Sequence, residues 1–94
     1  MLTIDKIKST VSKYGQEYGI KSAYLFGSYA KGNAREGSDV DLLIEKGEID
    51  TYKKYSEFLY SVEDELGANV DLLTNESVKP RFFELIKDDR VLLY

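Results

Sequence analysis

Two aspartates one residue apart, Asp39 and Asp41, and a third, Asp71, are the residues of this 94-residue chain whose type and placing could do chemistry. Each lies in or at the start of an apolar run, VDLLIE after Ser38 and VDLLT after Asn69. Aspartate is depleted from such runs because its short side chain competes with the strand ladder for backbone hydrogen bonds. Alternate side chains of a strand share a face, so Asp39 and Asp41 point the same way, about 7 Å apart, and repel one another unless a cation lies between them. Parity sets Asp71 opposite Val70 and Leu72, as Asp41 is set opposite Val40 and Leu42. A single strand aspartate is more often structural or solvated at an edge. Three of them, two paired behind a Gly-Ser step, point instead to a metal-binding cluster. The chain has no histidine and no cysteine, which removes imidazole and thiolate ligands and the usual general base. Any metal must be held by oxygen, and carboxylate ligation favours Mg²⁺ or Mn²⁺ over zinc.

The elements that must position these groups are legible around them. The run SAYLF leads into Gly27 and Ser28, and the composition predicts a first strand over 20–26 that delivers the Gly-Ser pair at its carboxyl end. Glycine lets backbone approach a ligand, and the free N–H groups of a helix start attract an anion, which makes Gly27 and Ser28 a candidate phosphate clamp. By themselves they would be an ordinary turn and cap; the aspartate pair makes the difference. Ser28 is expected to cap a short helix that Gly32 stops. Lys31 and Arg35 lie on the connection that follows, within reach of a triphosphate, where basic residues either contact phosphate or are simply solvated. The segment 32–38 has turn composition, and the second strand, 40–45, starts where the first ends, so the two should lie antiparallel.

Further out, Ile4, Ile7, Val11, Tyr14 and Tyr18 recur at helical spacing before Gly19, predicting an amphipathic helix over 3–18. A second stripe, Tyr52, Tyr55, Phe58, Leu59, Val62 and Leu66, ends at Gly67, with Asp50 as its expected cap. A third strand over 69–74, a helix from about Pro80 and a final strand over 91–94 complete the order. Tyr29 is expected to pack. The fold class expected is α/β (α+β), a two-layer domain with a mixed sheet covered by helices, the whole of 1–94 forming one domain.

The signature Gly27-Ser28, ten residues, then Asp39-x-Asp41, flanked by LFGS and DLLIE and preceded by Ser38, resembles that of the DNA polymerase β-type nucleotidyltransferase superfamily. The small size resembles its minimal nucleotidyltransferase (MNT) branch, which includes antitoxins paired with HEPN toxins; the likeness runs from Ile20 to Tyr94. The resemblance implies a nucleotidyltransferase fold and a catalytic, metal-holding set of Asp39, Asp41 and Asp71. It implies a nucleotide-binding set of Gly27, Ser28, Lys31, Arg35 and Ser38. Asp71 would help remove the proton of the attacking hydroxyl. AMP from ATP would be transferred in line, with Mg²⁺ (or Mn²⁺) bridging carboxylates and triphosphate, to a tyrosine of a HEPN-type toxin. So short a chain leaves another molecule to complete the site, in a homo- or hetero-oligomer.

Composition narrows the alternatives. A net charge of −4 argues against a long nucleic acid as substrate, since a phosphate backbone demands a basic surface. No apolar run is long enough to span a membrane and the start lacks the features of a signal peptide, so a cytoplasmic protein without a membrane partner is expected. Enzymes of similar motif that transfer to a small molecule such as an aminoglycoside carry a further helical domain for the acceptor, so the resemblance speaks against that acceptor for a chain this short. The non-enzymatic alternative is a nucleotide- or toxin-binding module that neutralises its partner by contact, against which stand three intact aspartates.

Overall fold

The first helix forms where the apolar spacing puts it. In the computed structural model, which describes residues 2–94, α1 spans Ile4–Tyr18. Thr3 caps it, its hydroxyl accepting the Lys6 amide at 3.1 Å, and Gly19 closes it in the left-handed conformation (φ 73°). Because the closing turn also draws the Ile20 amide onto the Gly15 carbonyl (3.0 Å), β1 starts later than the apolar composition implies, at Ser22–Phe26. The short helix α2 (Gly27–Lys31), β2 (Val40–Glu45), α3 (Tyr52–Leu66), β3 (Val70–Thr74), α4 (Pro80–Ile86) and β4 (Val91–Leu92) follow.

The four strands form one mixed sheet in the order β3-β2-β1-β4, with β2 antiparallel to β1 and parallel to β3. Helices α1 and α3 cover the face carrying Ala23, Leu25, Val40, Leu42, Ile44, Val70 and Leu72, every one of them buried. Phe58 of α3 lies at the centre of that layer, fully buried and edge-on to Tyr18 at 6.0 Å. The opposite face carries Tyr24, Phe26, Asp41, Leu43 and Asp71. Leu43 on it is only 2% exposed, and Phe82 of α4 meets Phe26 edge-on at 5.2 Å. Its centre is therefore covered, while the end where the aspartates lie stays open. Among the described residues no helix is long and apolar enough to cross a membrane.

Three expectations of the sequence are corrected here. Asp50 does not cap α3: Thr51 does, accepting the Lys54 amide at 3.1 Å, and Asp50 instead pairs with the Lys54 ammonium at 3.1 Å. Both residues are good caps, and the backbone turns into the helix one residue later than Asp50 needs. Tyr52 is not part of the core stripe but 80% exposed, stacked on Tyr55. Tyr55 already reaches the edge strand, its hydroxyl donating to the Leu72 carbonyl at 2.6 Å, so a residue one turn nearer the helix start has nothing left to bury against. Ile4, at the start of α1, is likewise exposed.

Helices α1 and α3 are also joined by a polar contact that no hydrophobic pattern reveals. The fully buried Thr10 hydroxyl donates to one Glu65 oxygen at 3.0 Å, while Lys13 (2.7 Å) and Tyr14 (3.2 Å) donate to the other. These donors hold the Glu65 carboxyl below its ordinary range, the Lys13 hydrogen bond first among them. Glu65→Ala leaves the Thr10 hydroxyl buried without an acceptor and is expected to lower the melting temperature by roughly 5 °C, with Glu65→Gln recovering most of the loss. Melting of Glu65→Ala at the wild-type temperature would show that the contact does not contribute.

Candidate active site

The sheet register assembles the site. Phe26 at the end of β1 is the partner of Asp41 on β2, and Asp41 is the partner of Asp71 on β3. Adjacent strands lie about 4.8 Å apart, so Asp41 and Asp71 stand side by side on the open face, with the turn at Gly27 beside them. The opposition of both aspartates to their apolar neighbours follows strand parity as the sequence implies, with Val40, Leu42, Val70 and Leu72 all in the core.

Burial, together with crowding of negative charge, shows in the proton affinity of the half-buried Asp41. Its carboxyl is pushed up to about 6, first by burial, then by the charge of Asp71 and a hydrogen bond with it, and last by the charge of Asp39. Asp39 is exposed and precedes the first paired residue of β2. Among the described residues no three carboxylates come together in a geometry that would hold a metal ion, although the charge of Asp39 still reaches Asp41. Parity binds side chains tightly only inside a ladder, and Asp39 lies just outside it. What the structure does juxtapose is a pair of carboxylates. Mg²⁺ is commonly held by one or two carboxylates, its other positions filled by water and substrate phosphates, so the donors present fit a hard divalent cation shared with a nucleotide.

The other sequence candidates surround the pair unequally. Gly27 turns the chain at φ 75° directly after Phe26. Ser28, expected to cap α2, is instead its second residue, because the helix begins immediately at the strand end; Phe26 holds the cap position and offers no side-chain hydrogen bond. Gly32 closes α2 as expected (φ 79°). Lys31 and Arg35 are exposed on the connection, and among the described residues no ion pair ties either to the carboxylates. The Ser38 hydroxyl accepts the Arg35 amide at 2.8 Å while the Ser38 amide donates to the Arg35 carbonyl at 2.9 Å. This reciprocal turn makes Ser38 a clasp for the loop that carries Asp39. Tyr29 is buried in the core. A cleft of about 700 Å³ opens next to Ser38, lined also by Tyr29, Gly37, Leu66 and Asn69. Phe82, the apolar flank of the site, was hidden in the sequence; its only signal is the helical spacing after Pro80, which carries no hint of a partner on β1.

Residues 4–93 match the nucleotidyltransferase domain family. A protein adenylyltransferase, MntA, of Thermococcus cleftensis is 37% identical over 83 residues, which cover 84% of this chain and 84% of that protein. Among solved structures, a protein provisionally described as a minimal nucleotidyltransferase superposes with a TM-score of 0.81 at 27% identity, covering 96% of this chain and 95% of that one. A chain of the complex between a tri-AMPylated Shewanella oneidensis HEPN toxin and an MNT antitoxin superposes with a TM-score of 0.69 at 18% identity, covering 94% of this chain and 69% of that one, which is a likeness of fold. A family match over nearly the whole length, a close relative and a shared mixed-sheet architecture make this chain a minimal nucleotidyltransferase of the polymerase β-type superfamily.

Proposed function

We propose that this nucleotidyltransferase is an Mg²⁺-dependent protein adenylyltransferase. In this reading a single minimal domain, acting in the cytoplasm, moves AMP from ATP to a tyrosine hydroxyl of a HEPN-type toxin and so serves as its antitoxin. The observation that carries the reading is the side-by-side placing of Asp41 and Asp71 on an open sheet end beside the Gly27 turn. Asp41 and Asp71 would hold the metal, with Asp39 at the mouth, and the metal would supply charge neutralisation for the triphosphate and acidify the attacking hydroxyl. Gly27 and Ser28 receive phosphate oxygens, while Lys31, Arg35 and Ser38 border the same opening. Asp71 faces the acceptor and takes its proton. The hydroxyl oxygen bonds to the α-phosphorus as the bond to the β-phosphate breaks and pyrophosphate leaves. Positioning and electrostatics dominate such a transfer, which suits a site built from so few kinds of group.

A protein acceptor is supported by the name of the Thermococcus relative, and a HEPN toxin by the assembly named for the Shewanella complex. It also suits an open carboxylate face, which a docking partner would cover while presenting its own hydroxyl. Added AMP brings a bulky anion to the toxin, which repels an anionic ligand from the surface around it. The test incubates the candidate toxin with ATP, Mg²⁺ and either the wild-type protein or its Asp39→Asn, Asp41→Asn double variant, and weighs the toxin intact. Mass added in multiples of AMP by the wild type alone is the expected result. Equal neutralisation by the double variant with no mass change would mean inhibition by contact and end the catalytic reading.

A further inference from the structure

Six glycines of the described chain adopt positive φ, and what surrounds them differs. A Cβ on Gly32, Gly37 or Gly67 would meet nothing within 4 Å, so these serve the backbone turn alone. Gly19 and Gly47 lie against each other's turn, a Cβ on the first running into Glu48 and on the second into the Gly19 carbonyl. At Gly27 the space a side chain would take is filled by Asp41: a Cβ there would overlap Oδ2 and stand 2.9 Å from Cγ and 3.3 Å from the Asp41 Cβ. The register explains the approach, because Phe26, the residue before Gly27, is paired with Asp41.

We propose that Gly27 is a positioning residue whose missing side chain is the seat of the Asp41 carboxylate, holding it in line with Asp71. The proposal rests on the reading of Asp41 as the central carboxylate of the transfer site and changes the part Gly27 plays in it. A glycine needed only for phosphate approach or for the turn is indifferent to what stands at position 41. A glycine that houses the carboxylate is not. Any β-carbon at position 27 displaces the Asp41 carboxylate from the place it now holds.

A double-mutant cycle separates these cases through stability, without nucleotide, metal or turnover. Gly27→Ala is made in the wild type, in Asp41→Ala and in Asp71→Ala, and each melting temperature is measured in chelator. Left-handed strain on alanine is common to all three backgrounds, and is expected to cost about 5 °C. Overlap with the carboxylate adds to it only where Asp41 remains, so the loss is larger in the wild type and in Asp71→Ala than in Asp41→Ala, where only the 3.3 Å approach to the β-carbon at position 41 is left. Gly27→Asn repeats the cycle with a residue that tolerates left-handed backbone, and should lose little in Asp41→Ala. An equal loss in all backgrounds for both substitutions, complete unfolding throughout included, overturns the seat. Failure of the wild type to transfer AMP would instead overturn the proposed function and leave the cycle unaffected.

Discussion

Asp41→Asn is expected to lower AMP transfer by at least about a thousandfold while raising the stability of the metal-free protein, two effects with one cause. The substitution keeps the size of the side chain and removes one of the charges that a divalent cation would need for binding and for drawing charge from the triphosphate. In the metal-free protein that same charge is a burden, because burial and the neighbouring Asp71 push the Asp41 carboxyl from 3.8 up to about 6. The folded state then holds this proton more tightly than the unfolded chain. Its contribution to stability is present in full below about pH 4 and is lost as pH rises through about 6. The variant has no such proton to lose. Its advantage should be near zero at pH 4 and reach about 1–2 kcal/mol above pH 7, with solvent screening of a half-exposed carboxylate allowed for. Melting in chelator from pH 4 to 8, beside transfer assays with Mg²⁺, measures both. Undiminished transfer would remove Asp41 from the mechanism, and a pH-independent stability difference would remove the carboxylate repulsion.

Phe58→Ala is expected to cost about 3–5 kcal/mol, the usual penalty for emptying a buried aromatic site. Phe58 is fully enclosed beneath the sheet and edge-on to Tyr18, so neither helix can close the void without leaving the strands it covers. A domain of this length has about 5–14 kcal/mol of stability in total, so the loss removes roughly a fifth of it or more and, at the lower end of that range, leaves a protein near its unfolding midpoint. The carboxylate pair would suffer too, since its alignment is a property of the β2–β3 register that this layer holds down. Phe58→Leu fills most of the space and should lose less than half as much. Denaturant unfolding of the three proteins decides the matter; a loss below about 1 kcal/mol for alanine would place Phe58 outside the core.

The sequence by itself determined the elements, their order and the residue types at their ends. Helical spacing before Gly19 and Gly67, apolar runs bounded by Gly27 and Asp39, and the absence of histidine and cysteine are local properties, written in neighbouring residues and independent of what they later touch. The antiparallel pairing of β1 with β2 was legible for the same reason, as a short connection leaves the chain little else to do. Tertiary structure decided what depends on residues far apart. Asp41 and Asp71 are thirty positions from one another, and nothing short of the parallel β2–β3 register makes them partners while leaving Asp39 at the rim. Whether Tyr52 or Tyr55 would be buried depended on where the edge strand ends, and Thr10 found its acceptor on a helix 55 positions away. Gly27 reads in sequence as a turn and a phosphate approach. Only the folded sheet, by bringing a second strand against the first, fills the space of its missing side chain with the Asp41 carboxylate.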